Sequence, residues 1–158
     1  MSERIPMTPS GYENLKEELR RLRTEERPNI VREIEAARAH GDLSENAEYH
    51  AAKDRQGQIE GRIRMVEDKL ARAQVIDSRG QTPDAVRFGA TVVLSDSETG
   101  EEVTYTIIGE DESDVSKGQI SIRSPVARAL LGKGINDVVS VRVPKGIREF
   151  EIRAIRFE

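Results

Sequence analysis

The chain has no cysteine, and aromatic residues make up only 4% of its 158 positions. The absence of cysteine excludes a disulfide framework, a thiol nucleophile and a zinc site built from cysteines. So few aromatic side chains also argue against one large aromatic core. Charged residues, in contrast, make up 34% of the sequence. This combination is typical of long solvated helices beside a single small core.

Long apolar runs are missing too. No run approaches the roughly 18–20 residues that cross a membrane as a helix, and the first six residues lack the apolar region of a signal peptide. These absences predict a soluble, cytoplasmic protein. The net charge of −4 argues against sequence-independent binding of free nucleic acid, because such binding needs a basic surface. A local basic stripe is still compatible with this charge.

Two long stretches carry apolar residues at helical spacing. The first contains Tyr12, Leu15, Leu19 and Leu22 and, after a phase shift, Ile30, Ile34 and Ala37. Pro28 lies where the pattern shifts, and we expect a kink or a loose turn there because proline lacks a backbone donor. Thr8 or Ser10 is suited to cap this helix, with Pro9 in the first turn. Gly41 is suited to end it.

The second stretch is more regular. Its spacing alternates between three and four residues through Tyr49, Ala52, Gln56, Ile59, Ile63, Val66, Leu70 and Ala73. This is the seam of a heptad pattern. Two such helices joined by a short polar turn predict an antiparallel helical hairpin about 45 Å long. A third helix or a dimer would bury the same stripes, but packing of the two helices on each other is the simpler explanation.

The pattern changes after residue 77. Residues 78–86 read as a linker that contains Gly80 and Pro83, and the apolar period then becomes two, which predicts strands. We expect strands at 90–94, 103–108, 119–123, 137–143 and 148–157, and a short helix at 126–131. The predicted fold class is therefore α+β, with a coiled-coil hairpin at 1–77, an acidic tip at 41–49 and a small antiparallel-sheet domain at 87–158.

The tip contains Asp42 and Glu45, and their spacing leaves two interpretations open. The D-x-x-E spacing is typical of a helix N-terminus, with Asp42 as N-cap and Glu45 reaching back from the third helical position. The alternative is a pair of hard oxygen ligands at an exposed tip, suited to a Mg²⁺ site whose other ligands come from another molecule. A cap needs no second molecule, whereas the incomplete metal site does.

Other polar residues near the tip also allow more than one role. His40 and His50 match no compact metal motif, and we expect both to be solvated. Tyr49 opens the heptad seam and is expected in the core, with stacking on a base as the alternative. Five basic residues fit either solvated ion pairs or a stripe that holds a nucleic-acid strand: Arg38, Lys53, Arg55, Arg62 and Arg64.

Together these motifs resemble the GreA/GreB family of transcript cleavage factors, in its GreA form. The resemblance covers essentially the whole chain. It includes the run from His40 to Lys53, in which the residues after Glu45 follow the GreA pattern, and the combined match is highly specific. The other matching segments are 5–8 with Gly11, 60–63, 73–77, 88–92 and 124–133.

The resemblance implies a bacterial transcription elongation factor that binds RNA polymerase core enzyme and inserts its coiled coil into the secondary channel. There, Asp42 and Glu45 would help to hold a Mg²⁺ ion shared with the polymerase active centre. The polymerase would then cleave its own backtracked RNA, and the chain would be neither an enzyme nor the holder of a cofactor when alone. Inhibitory paralogues carry an altered, more acidic tip, so this acidic pair favours the stimulating role.

The resemblance also implies roles for flanking residues and for the second domain. That domain would have an FKBP-like fold and dock on the rim of the channel. The residues concerned are Ser44 and Tyr49 as supports of the acidic pair, Arg38, Lys53 and Arg55 as contacts to RNA or the channel wall, and Ser124 and Pro125 as docking residues.

Two other functional classes stay open. The fold resemblance suggests peptidyl-prolyl isomerase activity, but such sites need an aromatic pocket, for which this region offers only Phe88, Tyr105, Phe150 and Phe157. The other class is a coiled-coil module with an inert tip, either a chaperone-like protein or a polymerase-binding regulator with no role in cleavage.

Overall fold

A computed structural model of the chain describes residues 3–41 and 46–157. Contacts divide the chain into two compact units. The first contains Tyr12–Ala73, and the second contains Arg4–Gly11 and the chain from Gln74 onward. The predicted domain boundary at residue 77 lies inside the second unit. None of the helices in the described part of the chain is long and apolar enough to cross a membrane.

The first unit is a helical hairpin, as predicted. Its first arm comprises α1 (Pro9–Arg21), a π-helical segment (Leu22–Glu26) and α2 (Arg27–Arg38), and its second arm is α3 (Ala47–Ala71). Ile30 and Ile34 of α2 pack with Ala52 of α3, so the stripes meet within one chain. The predicted seam of the second helix included Ala73, but α3 ends at Ala71 and Ala73 lies in a strand.

The π-helical segment explains the phase shift in the first stripe. Leu22 and Ile30 are both buried, yet they are eight residues apart instead of seven. A π-helical turn adds one residue per turn, and the N–H of Arg27 donates to the carbonyl of Leu22, five residues earlier. The extra residue returns Ile30 to the seam, and the chain stays helical through Pro28. The loose turn that proline suggested is therefore absent.

Four ion pairs between described residues join the two arms. The pairs are Glu18–Arg62, Arg23–Glu67, Arg27–Glu60 and Glu33–Arg55. The geometry is bidentate between Arg27 and Glu60, with Nε–Oε2 at 2.8 Å and Nη2–Oε1 at 2.9 Å. This hydrogen-bonded guanidinium lowers the pKa of Glu60 below its ordinary 4.5, since it favours the carboxylate.

We expect a double-mutant cycle on Arg27→Ala and Glu60→Ala to give a small favourable coupling at pH 7, as is usual for exposed pairs with bidentate geometry. Because the pKa of Glu60 is lowered from 4.5 by folding, this stabilisation is present above pH 4.5 and is lost as the pH falls below it. Urea unfolding at pH 7 and pH 3 measures both values. A coupling that is unchanged at pH 3 would show that the attraction is not ionic.

The second unit is built on a five-stranded sheet. Its strands are β3 (Thr91–Asp96), β4 (Glu102–Ile108), β5 (Gln119–Ser121), β6 (Val138–Val143) and β7 (Gly146–Arg156). They lie side by side in the order β5-β4-β3-β7-β6. All neighbours pair antiparallel except β5, which runs parallel to β4. The predicted antiparallel sheet is confirmed for four strands, and β5 departs from it because it follows β4 after a long loop instead of a hairpin turn.

A short helix, α4 (Pro125–Leu130), supplies Ala127 and Leu130 to the core of this unit. Both side chains are fully buried, together with Val92, Leu94 and Ile152 of the sheet. Ser124 caps α4, since its Oγ accepts the N–H of Ala127 at 3.2 Å. The predicted cap and helix are confirmed here.

The segment Arg4–Gly11 belongs to the second unit. Strand β1 (Ile5–Met7) pairs with β2 (Ala73–Val75), and Thr8 caps α1 through the N–H of Gly11 at 3.1 Å. The carboxylate of Glu112 holds this segment: one oxygen accepts the N–H of Thr8 at 2.9 Å and that of Gly109 at 3.2 Å. The other oxygen accepts the Thr8 hydroxyl. The sequence suggested the cap but not the carboxylate that binds it.

Gly11 leaves the space that Glu112 fills. A Cβ atom at position 11 would lie 2.3 Å from Cδ of Glu112, so Gly11→Ala must displace a carboxylate that binds Thr8. We expect a net destabilisation of roughly 1–2 kcal/mol, since the lost hydrogen bonds outweigh the better helix propensity of alanine.

Gly57→Ala in α3 is the matched control, because no atom lies within 4 Å of a Cβ there. This substitution should stabilise the chain by up to about 1 kcal/mol. Denaturant unfolding measures both. If Gly11→Ala is as stabilising as Gly57→Ala, Glu112 does not hold the segment.

Candidate functional site

The end of the helical hairpin is the candidate site, and its predicted acidic residues fall in a short segment. Asp42, Ser44 and Glu45 belong to residues 42–45, which lie outside the described residues. The structure gives the residues on both sides, which end one helix and begin the next.

On the first side, α2 ends as the sequence predicts. Ala39 is its C-cap, and the N–H of Gly41 donates to the carbonyl of Arg38 at 3.2 Å. Gly41 has a φ of 103°, a conformation that strongly favours glycine because a side chain would be strained there. The chain therefore leaves α2 through a residue that has no side chain to restrain it.

On the second side, α3 begins with Asn46 as N-cap. Its Oδ1 accepts the N–H of Tyr49 at 3.0 Å, and its Nδ2 donates to the carbonyl of Ala37 at 2.7 Å. Asp42 is therefore not the N-cap of α3, because that helix starts at Ala47 and its cap is Asn46. Any other capping role of Asp42 and Glu45 concerns residues 42–45, which lie outside the described residues. The α3 N-terminus does not require either tip carboxylate.

Tyr49 and the histidines take the structural places expected of them. Tyr49 is partly buried and packs against Ile30, Ile34 and Ala52, so its ring belongs to the seam. The ring of His50 meets it edge-on, with centroids 5.5 Å apart, and the side chains of His40 and His50 are exposed. Within residues 3–41 and 46–157, no group of three or more His, Asp or Glu side chains could hold a metal ion.

The basic side chains near the tip are not equivalent. Arg55 forms an ion pair with Glu33 across the hairpin, so its charge is partly neutralised by a neighbour. Lys53 is exposed, and its ammonium group donates a hydrogen bond to the neutral side chain of Gln56 at 3.1 Å. Arg38 lies exposed in the last turn of α2, where a cation is favoured by the helix dipole. Lys53 and Arg38 are thus the better placed of the three for contact with an anionic strand.

The hairpin has small side chains beside the tip. Ala37 and Ala52 are buried between the helices there, and Ala36 and Ala51 line a shallow groove beside them together with Glu48. At the other end the seam is filled by larger residues such as Leu15, Leu19 and Leu22. Small seam residues let two helices approach closely, so the composition favours a slender end.

The second unit contains the other predicted residues. Ser124 and Pro125 form the N-cap and first position of α4, which is a structural role in itself. Phe150 lies in the hydrophobic core, and Tyr105 and Phe157 pack against that core. Phe88 is also buried. Two of the four rings are buried and the other two pack against the core while partly exposed, which argues against the aromatic-lined pocket that an isomerase site would need.

Comparison with known proteins decides the family. A family model described as the N-terminal domain of transcription elongation factors matches residues 5–75. A second, described as the C-terminal domain of the GreA/GreB transcription elongation factors, matches residues 81–157. The chain belongs to the GreA/GreB family. Together the two matches cover both structural units and nearly every described residue.

Relatives described as transcription elongation factor GreA are similar to this family member over its full length. The protein from Trichlorobacter lovleyi is 56% identical over 158 residues, which is 100% of both chains. The protein from Maricaulis maris is 57% identical over 152 residues, covering 96% of this chain and 97% of its own.

Solved structures of GreA/GreB proteins also align with the chain. GreA factor homolog 1 of Thermus thermophilus is 31% identical with a TM-score of 0.44, covering 98% of this chain and 99% of its own. The GreA/GreB factor of Nitrosomonas europaea is 24% identical with a TM-score of 0.44, covering 98% and 100%.

The main residue that sequence reasoning missed is Asn46. Asparagine is among the preferred N-caps, and it directly precedes the first helical residue, Ala47. That signal was present but competed with the D-x-x-E spacing four residues earlier. The additional bond from Asn46 to Ala37 has no local sequence signal, because it depends on the return of the chain to α2.

Proposed function

We propose that the chain binds bacterial RNA polymerase, inserts the end of its helical hairpin into the secondary channel and stimulates the polymerase to cleave backtracked RNA. The observation that carries the proposal is a full-length match to the GreA/GreB elongation factors on a chain whose hairpin ends in the segment of Asp42 and Glu45. The proposed result is the rescue of arrested transcription complexes.

The hairpin supports this function by its shape and composition. Its first arm is helical from Pro9 to Arg38, and 30 helical residues span about 45 Å. Its seam is filled with alanine beside the tip. A long arm with a slender end is suited to reach a centre inside another protein, and the four ion pairs between the arms favour one alignment of the helices.

The donor set at the tip fits a shared Mg²⁺ ion. Mg²⁺ prefers about six oxygen ligands and binds proteins through one or two carboxylates, with waters and substrate oxygens as the rest. Asp42 and Glu45 supply two carboxylates, and the described residues around them add no further cluster of metal ligands. We infer that the chain supplies part of a site that only the polymerase completes.

In this proposal the chain positions charge and performs no bond-breaking step itself. Asp42 and Glu45 would hold a Mg²⁺ ion and orient the water that attacks the RNA. When bound, this ion activates water and neutralises charge on the reacting phosphate. Ser44 and Tyr49 would support the acidic pair, Arg38, Lys53 and Arg55 would contact RNA or the channel wall, and Ser124 and Pro125 would dock on the rim.

The direct test uses the full-length chain, RNA polymerase core enzyme and a complex stalled in the backtracked state. We expect the chain to be retained on the polymerase and to accelerate shortening of the RNA from its 3′ end in a Mg²⁺-dependent manner. Retention without accelerated cleavage would instead support a polymerase-binding regulator. Failure of retention would favour a coiled-coil module with another partner.

A further inference from the structure

The first arm of the hairpin has one residue more than a heptad pattern places between two seam positions. Leu22 and Ile30 are both buried, and they are eight residues apart, whereas seven residues return a side chain to the same face of a coiled coil. The π-helical segment Leu22–Glu26 absorbs the difference, because the N–H of Arg27 donates to the carbonyl of Leu22. A π-helical turn is rarely adopted, so its presence in this arm requires a cause.

Pro28 supplies that cause. Inside a regular α-helix its ring would clash with the carbonyl four residues earlier, and its missing N–H would leave that carbonyl without a donor. In this structure α2 begins at Arg27, so that Pro28 is the second residue of a new α-helical segment. The first four N–H groups of an α-helix have no partner within it, and the missing donor therefore costs little there. The wide turn lies directly before the residue that a regular turn would not accommodate.

The two arms stay paired on both sides of the extra residue. Arg23, inside the π-helical segment, forms an ion pair with Glu67 of α3. Arg27, directly after the segment, binds Glu60 through two hydrogen bonds. Farther along the arm, Ile30 packs in an apolar cluster with residues of α3. The wide turn thus corrects the phase of the first arm and does not interrupt its pairing with the second.

We propose that the π-helical segment is a one-residue insertion positioned by Pro28, and that it keeps the part of the first arm beyond it in phase with α3. Removing the extra residue alone would return Pro28 to the interior of a regular helix. Removing the residue and the proline together would leave an unbroken α-helix with the same seam. This property belongs to the folding of the hairpin, and it does not depend on the proposed function.

Deletion of Glu25, alone and together with Pro28→Ala, tests the proposal in the full-length chain. Glu25 is exposed, and its loss makes Leu22 and Ile30 seven residues apart. The deletion alone should lower the urea midpoint of the circular dichroism signal at 222 nm by roughly 1–3 M, since Pro28 then disrupts a regular helix. Pro28→Ala alone should stay within about 0.5 M of the parent. The double variant should unfold at the parental midpoint or above it.

Deletion of Glu35 is the matched control. It removes the same type of exposed residue from the same arm, but from a regular part of α2. There, one residue fewer turns the rest of the helix by about 100°. Ala37, which is buried in the seam, would then leave it. We expect this deletion to lower the urea midpoint both in the parent and in the Pro28→Ala variant.

Three results would overturn the proposal. An equal loss on deletion of Glu25 in the parent and in the Pro28→Ala variant would show that Pro28 does not position the π-helical segment. In the Pro28→Ala variant, a loss as large as that caused by deletion of Glu35 would show that the segment is not a removable insertion. Nuclear Overhauser effects between the methyl groups of Ile34 and Ala52, which pack together, should persist in the double variant. Their loss would show that the phase beyond the deletion had changed.

Discussion

Replacing Asp42 by asparagine, or Glu45 by glutamine, is expected to lower the rate of stimulated RNA cleavage roughly 100-fold or more. The loss corresponds to nearly 3 kcal/mol of transition-state stabilisation, within the several kcal/mol that a correctly held metal ion supplies. Each amide keeps the size of the side chain but removes the charge that Mg²⁺ requires. Single-turnover cleavage in backtracked complexes, at saturating factor, measures the effect.

Glu48→Gln is the matched control for this experiment. Glu48 lies in the first turn of α3, beside the proposed ligands, so its replacement changes the net charge of the tip by the same amount. We expect cleavage to stay within about threefold of the parent, since loss of a surface charge near a site acts only through screened electrostatics. Equal losses in all three variants would mean that general acidity, rather than ligation by Asp42 and Glu45, is responsible.

Ile63→Ala is expected to have the largest effect on the stability of the hairpin, about 2–5 kcal/mol. Ile63 is 2% exposed and lies in the middle of the heptad seam, where a truncated side chain leaves a cavity between the two arms. Denaturant unfolding followed by circular dichroism at 222 nm, which reports mainly on the helices, measures the change. The stimulated cleavage should fall at temperatures where the hairpin has melted.

Met65→Ala supplies the comparison for Ile63→Ala on the same helix. Met65 is 50% exposed and two residues away, so its truncation removes little buried surface and should change stability by less than about 0.5 kcal/mol. Similar losses in the two variants would show that the seam is not the source of hairpin stability.

Much of the fold could be predicted from the sequence because its elements follow simple periods. The 3-4 spacing that contains Ile63 and Val66 fixed α3, and the period of two fixed the strands around Val92 and Ile152. Local capping rules identified Ser124. These features depend on residues close in sequence, where side-chain chemistry and backbone geometry determine the outcome.

The remaining features depend on contacts between distant residues. The parallel pairing of β5 with β4 and the binding of Thr8 by Glu112 have no local periodicity. At Pro28 the sequence indicated an interruption of the apolar stripe, but both a loose turn and a π-helical turn would shift the phase of that stripe. Burial of Ile30 against α3 favours the helical solution. The free energy gained from this burial cannot be estimated from the local sequence pattern.

For the candidate site, the sequence identified the acidic residues but not the residue that caps the helix after them. Asp42 and Asn46 are both good N-caps by composition, and only the structure shows that Asn46 caps α3. The ligation proposed for Asp42 and Glu45 involves a second molecule, so no pattern within one chain can establish it. The spacing left the metal role and a helix cap both open, and the family resemblance favoured the metal role.

The dependence of cleavage on Mg²⁺ concentration tests the central claim most directly. The rate in backtracked polymerase complexes would be measured over a Mg²⁺ titration with no factor, with the parent chain and with an Asp42→Asn/Glu45→Gln double variant. If the two carboxylates add ligands to a shared ion, the parent should reach half-maximal rate at a lower Mg²⁺ concentration than polymerase alone. The double variant should follow the curve of polymerase alone while still competing with the parent for binding. Parent and double variant with the same half-maximal Mg²⁺ concentration would contradict the account.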